Sequence, residues 1–119
     1  MSEPLTIYPA TKTFKGKLIV LVNELSQSQA EYTAMAFKSA PNSTIIGSTT
    51  AGADGNVSRI PLPGGMGSMI SGIGVYYPDR SETQRIGIVP DITVKPTIKG
   101  ISEGRDEVLE KAIELINSN

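Results

Sequence analysis

Lys17-Leu18-Ile19-Val20-Leu21-Val22-Asn23 followed by Glu24-Leu25-Ser26-Gln27-Ser28-Gln29-Ala30-Glu31 is the stretch whose reading decides the fold. The first part is a continuous apolar, β-branched-rich run of strand length. Such a run predicts a strand buried on both faces, as in a parallel sheet. Glu24 to Gln27 is a polar turn. Ser28-Gln29-Ala30-Glu31 then has the S-x-x-E spacing of a capping box, and a helix is expected from about Ser28 to Ser39. Ala30, Ala34, Phe37 and Ala40 fall at helical spacing behind it, with Tyr32 and Met35 adjacent, and Met35 reads as helix core. Pro41-Asn42 stops the helix, and Ser43 to Thr49 reads as the next strand. Strand, helix and strand make a βαβ unit with a right-handed crossover. The fold class is therefore α/β.

Outward from this unit the pattern changes. Seven glycines crowd residues 52–74. Between them Asn56 to Leu62 and Met69 to Tyr77 read as strands, with Pro63-Gly64-Gly65 as a hairpin-type turn and Pro61 placing the first strand at an edge or end. Ile92-Thr93-Val94 is a short strand after Pro90-Asp91. Asp106-Glu107 opens a final helix whose apolar face is Val108, Leu109, Ala112, Ile113 and Ile116. Residues 1–16, broken by Pro4, Pro9 and Gly16, form a lead-in in which Leu5, Ile7 and Tyr8 could make a short edge strand.

Composition narrows the function classes. The 119 residues suffice for one modest domain, and a domain of that size buries only about two-thirds of its unfolded surface. Net charge is −1 with no basic face, which argues against nucleic acid as a partner. The chain has no cysteine and no histidine, so it offers no disulfide, no thiolate site and no imidazole base. No apolar run approaches the roughly 18 residues of a membrane span. Met1-Ser2-Glu3-Pro4 has neither a basic start nor an apolar stretch, so any secretion address is expected outside this chain.

Ser28 carries the sharpest chemical signal. A strand ends, the chain turns, and a helix begins on a hydroxyl. That arrangement exposes the hydroxyl at the sheet's C-terminal edge, where α/β ligands bind. The N–H of Gln29 points outward at the helix N-terminus and can stabilise an oxyanion. The bland alternative is a serine that only caps the helix, worth about 1 kcal/mol. Spacing alone leaves both readings open.

Four pieces occur in order: Leu21-Val22-Asn23-Glu24, Ser28-x-x-Glu31, Ile46-Gly47-Ser48-Thr49-Thr50-Ala51-Gly52 and Gly87-Ile88-Val89-Pro90-Asp91-Ile92. Together they resemble the C-terminal processing (tail-specific) serine peptidase family, in its tricorn-core-like branch, from about Lys17 to Ile116. The resemblance implies a ClpP/crotonase-like core fragment, with a βαβ unit, a glycine-rich β region and a C-terminal helix. It implies that 17–119 is the C-terminal part of the catalytic domain and that 1–16 leads in from a missing N-terminal part. It gives Ser28 the nucleophile position, Gln29 N–H one oxyanion donor, and Glu31 the helix glutamate that supports the site.

It also implies two departures. Ala53 stands where one branch of the family has its general-base lysine. Gln84 stands near the glutamate that, in the other branch, orients a histidine, and could hydrogen-bond an incoming histidine in its place. A serine without a base is a poor nucleophile at neutral pH. The expectation is a serine-type endopeptidase fragment, inactive alone, whose base and second oxyanion donor come from the rest of the same protein. A peptide or protein substrate would bind by strand addition. No cofactor or metal is implied, a homo-oligomer is allowed, and an extracytoplasmic setting, periplasm or cell envelope, follows from the resemblance. The rival classes are a degenerate peptidase that only binds peptide or ligand, and a crotonase-type acyl-thioester enzyme. Asp54 and Glu82 could assist a base but read as solvated loop carboxylates; Thr49 to Gly55 could cradle an anion but lacks the lysine and spacing of a phosphate loop, and reads rather as a turn or a dock for a substrate strand; Tyr76 and Tyr77 read as packing residues.

Overall fold

The structure, a computed structural model, describes residues 10–118. The expected edge strand at Leu5 to Tyr8 lies outside them. In chain order the elements are β1 (Leu18–Val22), α1 (Gln29–Lys38), β2 (Ser43–Gly47), β3 (Val57–Pro61), a 3-10 turn at Pro63–Gly65, β4 (Gly67–Ser71), β5 (Ile92–Thr93), α2 (Ile98–Ser102) and α3 (Glu107–Asn117).

β1, β2 and β5 form a parallel sheet in that order. Val20 pairs with Ile45 and Val22 with Gly47, while Ile46 pairs with Ile92. The period of two along each strand puts Val20, Val22 and Ile45 on one face. α1 covers that face with Ala34 and Met35, and Ile88 from the later loop closes the cluster. Each larger side chain buried there stabilises the fold by roughly 1.5–3 kcal/mol. α3 packs on the sheet as well, touching both β1 and β2.

The strand–helix–strand unit agrees with the sequence to within two residues at each end. Its burial does not. β1 is a sheet edge among the described residues, with Leu21 exposed and only Val22 fully buried, so the expectation of burial on both faces fails. The buried stripe of α1 is Glu31, Ala34 and Met35, whereas Ala30 and Phe37 are exposed. The helix is rotated relative to its apolar pattern because a carboxylate, Glu31, points inward.

β3 and β4 form a separate antiparallel hairpin, with Val57 opposite Ser71 and Pro61 opposite Gly67. β4 starts two residues earlier than expected and ends at Ser71, six residues short of Tyr77. Register with the five-residue β3 sets its length, and Gly72 and Gly74 follow without pairing. All ten hairpin strand residues are exposed. α2 was not expected. α3 begins as read: Asp106 caps it by accepting from Leu109 N–H at 3.0 Å. Of its apolar face, Ala112 is buried and Val108 half-buried, but Leu109, Ile113 and Ile116 remain exposed.

Gly47 shows how tightly β1 and β2 approach. Its φ is +134°, and a Cβ there would sit 1.8 Å from the Val22 carbonyl oxygen. Gly64 also has positive φ, +80°, but open space around it. Urea unfolding should therefore separate them. Gly47→Ala is expected to cost more than about 3 kcal/mol, and Gly64→Ala about 1 kcal/mol.

Candidate active site

The turn between β1 and α1 is built from side-chain-to-backbone bonds. Asn23 Oδ1 accepts from Leu25 N–H at 3.0 Å, and Asn23 N–H donates to Ser26 Oγ at 3.2 Å. The Ser26 carbonyl accepts from Ala51 N–H at 3.0 Å, tying this turn to the loop after β2. Beside it Ser48 Oγ donates to Glu24 at 2.5 Å, a bond that holds the Glu24 carboxyl below its ordinary range.

Ser28 follows, with φ 54° and ψ −122°. These are the angles of the first central residue of a type II′ turn, a place for glycine. The Ala30 N–H closes the turn onto the Gln27 carbonyl at 3.2 Å. A serine held there stores about 1–3 kcal/mol of backbone strain. Its side chain is placed as a capping box requires but makes no cap hydrogen bond, and the Glu31 N–H goes to the Ser28 carbonyl at 2.8 Å. The expected capping-box pairing of Ser28 and Glu31 is thus in place, with its glutamate half made as a 3.0 Å bond from Ser28 N–H. Ser28 and Gln29 are both exposed, and the Gln29 N–H finds no acceptor among the described residues. An exposed serine on a strained turn, next to an open N–H at a helix N-terminus, is an arrangement that can attack a carbonyl and hold its oxyanion.

Glu31 holds the strain in place. It is 1% exposed and its carboxylate accepts four hydrogen bonds. Oε2 takes Ser28 N–H at 3.0 Å and Ala53 N–H at 2.9 Å. Oε1 takes Gly52 N–H at 2.7 Å and the Thr50 hydroxyl. Within the Thr49 to Gly55 turn, Thr50, Gly52 and Ala53 thus wrap an internal carboxylate. Thr50 Oγ1 in turn accepts from Ile88 N–H at 2.7 Å. One carboxylate thus joins three of the sequence pieces that lie far apart in the chain. The fourth-piece aspartate, Asp91, accepts from Ile45 N–H at 2.8 Å and pairs with Lys38 at 3.2 Å, fixing the Gly87-to-Asp91 segment against β2 and α1.

Gln84 is not part of this cluster. Its Nε2 donates to the Asp54 carbonyl at 2.8 Å and the Ile73 carbonyl at 3.1 Å, strapping the root of the hairpin. Its amide hydrogens are committed to that strap, so the expected bond to a histidine would have only Oε1 to use. Asp54 corrects a second expectation: it is buried, 6% exposed, rather than solvated. Glu82 is exposed as expected, and its backbone forms an isolated antiparallel bridge with that of Tyr76. Tyr77 packs against the core, and burial pushes its hydroxyl up, with Asp91 and Asp79 adding to the effect. Thr50, Gly52 and Ala53 were missed as site residues because two of them act through backbone N–H, which leaves no side-chain signal.

Comparison with known proteins gives a consistent answer. The sequence description of Peptidase family S41 matches residues 3–94. The carboxy-terminal-processing protease of Bartonella bacilliformis is 36% identical over 98 residues, covering 82% of this chain and 22% of that protein. A Parabacteroides merdae protein assigned provisionally as a peptidase superposes with a TM-score of 0.83 at 31% identity, over 92% of this chain and 35% of its own. The tricorn protease shares the fold, with a TM-score of 0.75 at 21% identity over 85% of this chain and 10% of its own. The chain thus spans about a fifth of the curated relative and about a third of the first of these structures.

A strained serine and a capping serine respond differently to substitution. Ser28→Gly is expected to stabilise the chain by about 1 kcal/mol, and Ser28→Ala to change it by less than about 0.5 kcal/mol. A true cap would lose about 1 kcal/mol on alanine and only tenths on glycine. Glu31→Gln turns a donor toward donors and is expected to cost more than about 2 kcal/mol. Chemical denaturation of the three variants checks all of this.

Proposed function

The chain belongs to peptidase family S41, and within that family we propose that Ser28 is the nucleophile of a serine endopeptidase that works through an acyl-enzyme. The observation that carries this reading is the Ser28 turn, φ 54° at an exposed serine beside an open Gln29 N–H. Family membership supports a serine-type protease; the residue roles are the proposal.

In the proposed reaction Ser28 Oγ attacks the scissile carbonyl carbon as its proton passes to a general base. The Gln29 N–H hydrogen-bonds the resulting oxyanion, a contribution of about 3 kcal/mol. The C–N bond then breaks and the base returns the proton to the leaving amine. Water, deprotonated by the same base, hydrolyses the ester and frees Ser28. The base lies outside these 119 residues: the chain has no histidine, and Ala53 occupies the position of the lysine in the other branch. Residues 17–119 are accordingly the C-terminal part of a catalytic domain, and the other part of that domain brings the base and a second oxyanion donor. The substrate is an extended peptide, and the setting is extracytoplasmic, as among related processing proteases.

The engagement of both Gln84 amide hydrogens favours one alternative, a degenerate domain that binds peptide without cleaving it. A fluorophosphonate probe separates the two. A longer protein carrying this chain is expected to label at Ser28 and to lose labelling in Ser28→Ala, while residues 1–119 alone cleave no peptide. Absence of labelling in the longer protein supports the binding domain. Ser28-dependent cleavage by the 119 residues alone overturns the external base.

A further inference from the structure

The buried acid that the proposed reaction leaves unused is Asp54. Its Oδ1 accepts from Gly55 N–H at 2.7 Å, and its Oδ2 is buried with no hydrogen-bond partner among the described residues. No cation pairs with it there. A carboxylate accepts through two oxygens, so an ionised Asp54 leaves one set of lone pairs neither hydrated nor bonded. Such a group is held in place by its backbone, and the backbone here is clamped from both sides. Gly52 and Ala53 donate to Glu31, and the Asp54 carbonyl accepts from Gln84. Arg85 N–H also donates to the Gly52 carbonyl at 2.7 Å.

This loop is mechanically coupled to the candidate nucleophile. Ala53 N–H and Ser28 N–H share one acceptor, Glu31 Oε2, at 2.9 and 3.0 Å. Any movement that takes Asp54 toward water pulls on Gly52 and Ala53. Loss of those two bonds removes two of the four donors on Glu31, the residue that holds Ser28 at positive φ.

We infer that Asp54 is a positioning residue with a proton-dependent function: its neutral form favours the closed loop, and its ionisation favours opening of residues 50–55 and loosens the Glu31 hold on Ser28. The neutral acid suits the sealed site; the carboxylate suits water. Two charged or polar groups face it from the elements packed on the loop: Glu31 on α1, whose charge opposes a second negative one, and Gln84, which is neutral. Burial is the larger cause that raises the Asp54 midpoint above the ordinary aspartate value, the Glu31 charge adds to it, and the Gly55 N–H works against both. For an acid raised in this way, the closed loop is favoured below the midpoint of an unfolded aspartate. That advantage is lost as pH rises through the folded midpoint. The significance for catalysis rests on the Ser28 reading, but the loop transition does not.

The test uses the 119-residue chain and two nuclear magnetic resonance measurements. The Asp54 side-chain carboxyl carbon, followed from pH 3 to 8, is expected to titrate above the ordinary aspartate range near 3.9. Hydrogen exchange at the Gly52 and Ala53 amides, corrected for the intrinsic pH dependence, is expected to speed up as pH rises toward that midpoint and to level off above it. The gain should be about tenfold for every pH unit between that midpoint and an unfolded aspartate's. Asp54→Asn, which cannot ionise, should abolish the pH dependence of exchange, while the exposed Glu82→Gln should keep it. An ordinary Asp54 midpoint, or an unchanged exchange transition in Asp54→Asn, overturns the inference. The carboxyl titration is read in the unsubstituted chain, so the conclusion survives a variant that fails to fold. Fluorophosphonate labelling, by contrast, tests Ser28 as nucleophile and is indifferent to this outcome.

Discussion

Four donors converge on the Glu31 carboxylate, and most of what distinguishes this fold depends on that convergence. Two of the donors are backbone N–H groups of a glycine-containing loop, one is a buried hydroxyl, and one is the N–H of Ser28. Burying a carboxylate is unfavourable unless its lone pairs are met, and here each oxygen accepts two bonds. The same bonds bring together segments that are distant in sequence: the start of α1, the loop after β2, and, through Thr50, the backbone of Ile88. The hydrophobic core beneath is small and could not by itself impose a strained turn on a serine. The electrostatic clamp supplies the local force that the core lacks.

This constraint links fold to chemistry. A helix N-cap would ordinarily relax into the extended region of backbone space. Ser28 instead sits where glycine is at home, and its hydroxyl makes no cap hydrogen bond to the helix it precedes. That conformation has no stabilising purpose visible in the packing. Its consequence is to leave the hydroxyl and the adjacent Gln29 N–H available to one incoming group. Membership of the S41 peptidases gives that arrangement its chemical context.

Sequence patterning made the strand–turn–helix–strand unit legible because every local signal agreed: a β-branched run, a capping spacing, and a proline stop. It misjudged α1's inward face, since apolarity pointed to Ala30 and Phe37 while the fold buries Glu31. A buried charge is invisible to hydropathy and shows itself only when its donors are placed. Asp54 was misread for the same reason. The hairpin boundaries were off because cross-strand register, not residue propensity, ends β4 at Ser71. Gln84 was identified through its place in a family pattern, yet its bonds go to Asp54 and Ile73, a use that only the fold reveals. The Gly52 and Ala53 donors carry no side-chain signature at all.

The central claim is that Glu31 holds Ser28 at positive φ. A high-resolution crystal structure of Glu31→Ala tests it most directly, through the backbone angles of Ser28. With the shared acceptor gone, φ is expected to leave the value near 54° for the negative region and the hydroxyl to form a cap hydrogen bond to α1. A Ser28 that keeps positive φ without the Glu31 carboxylate contradicts the account.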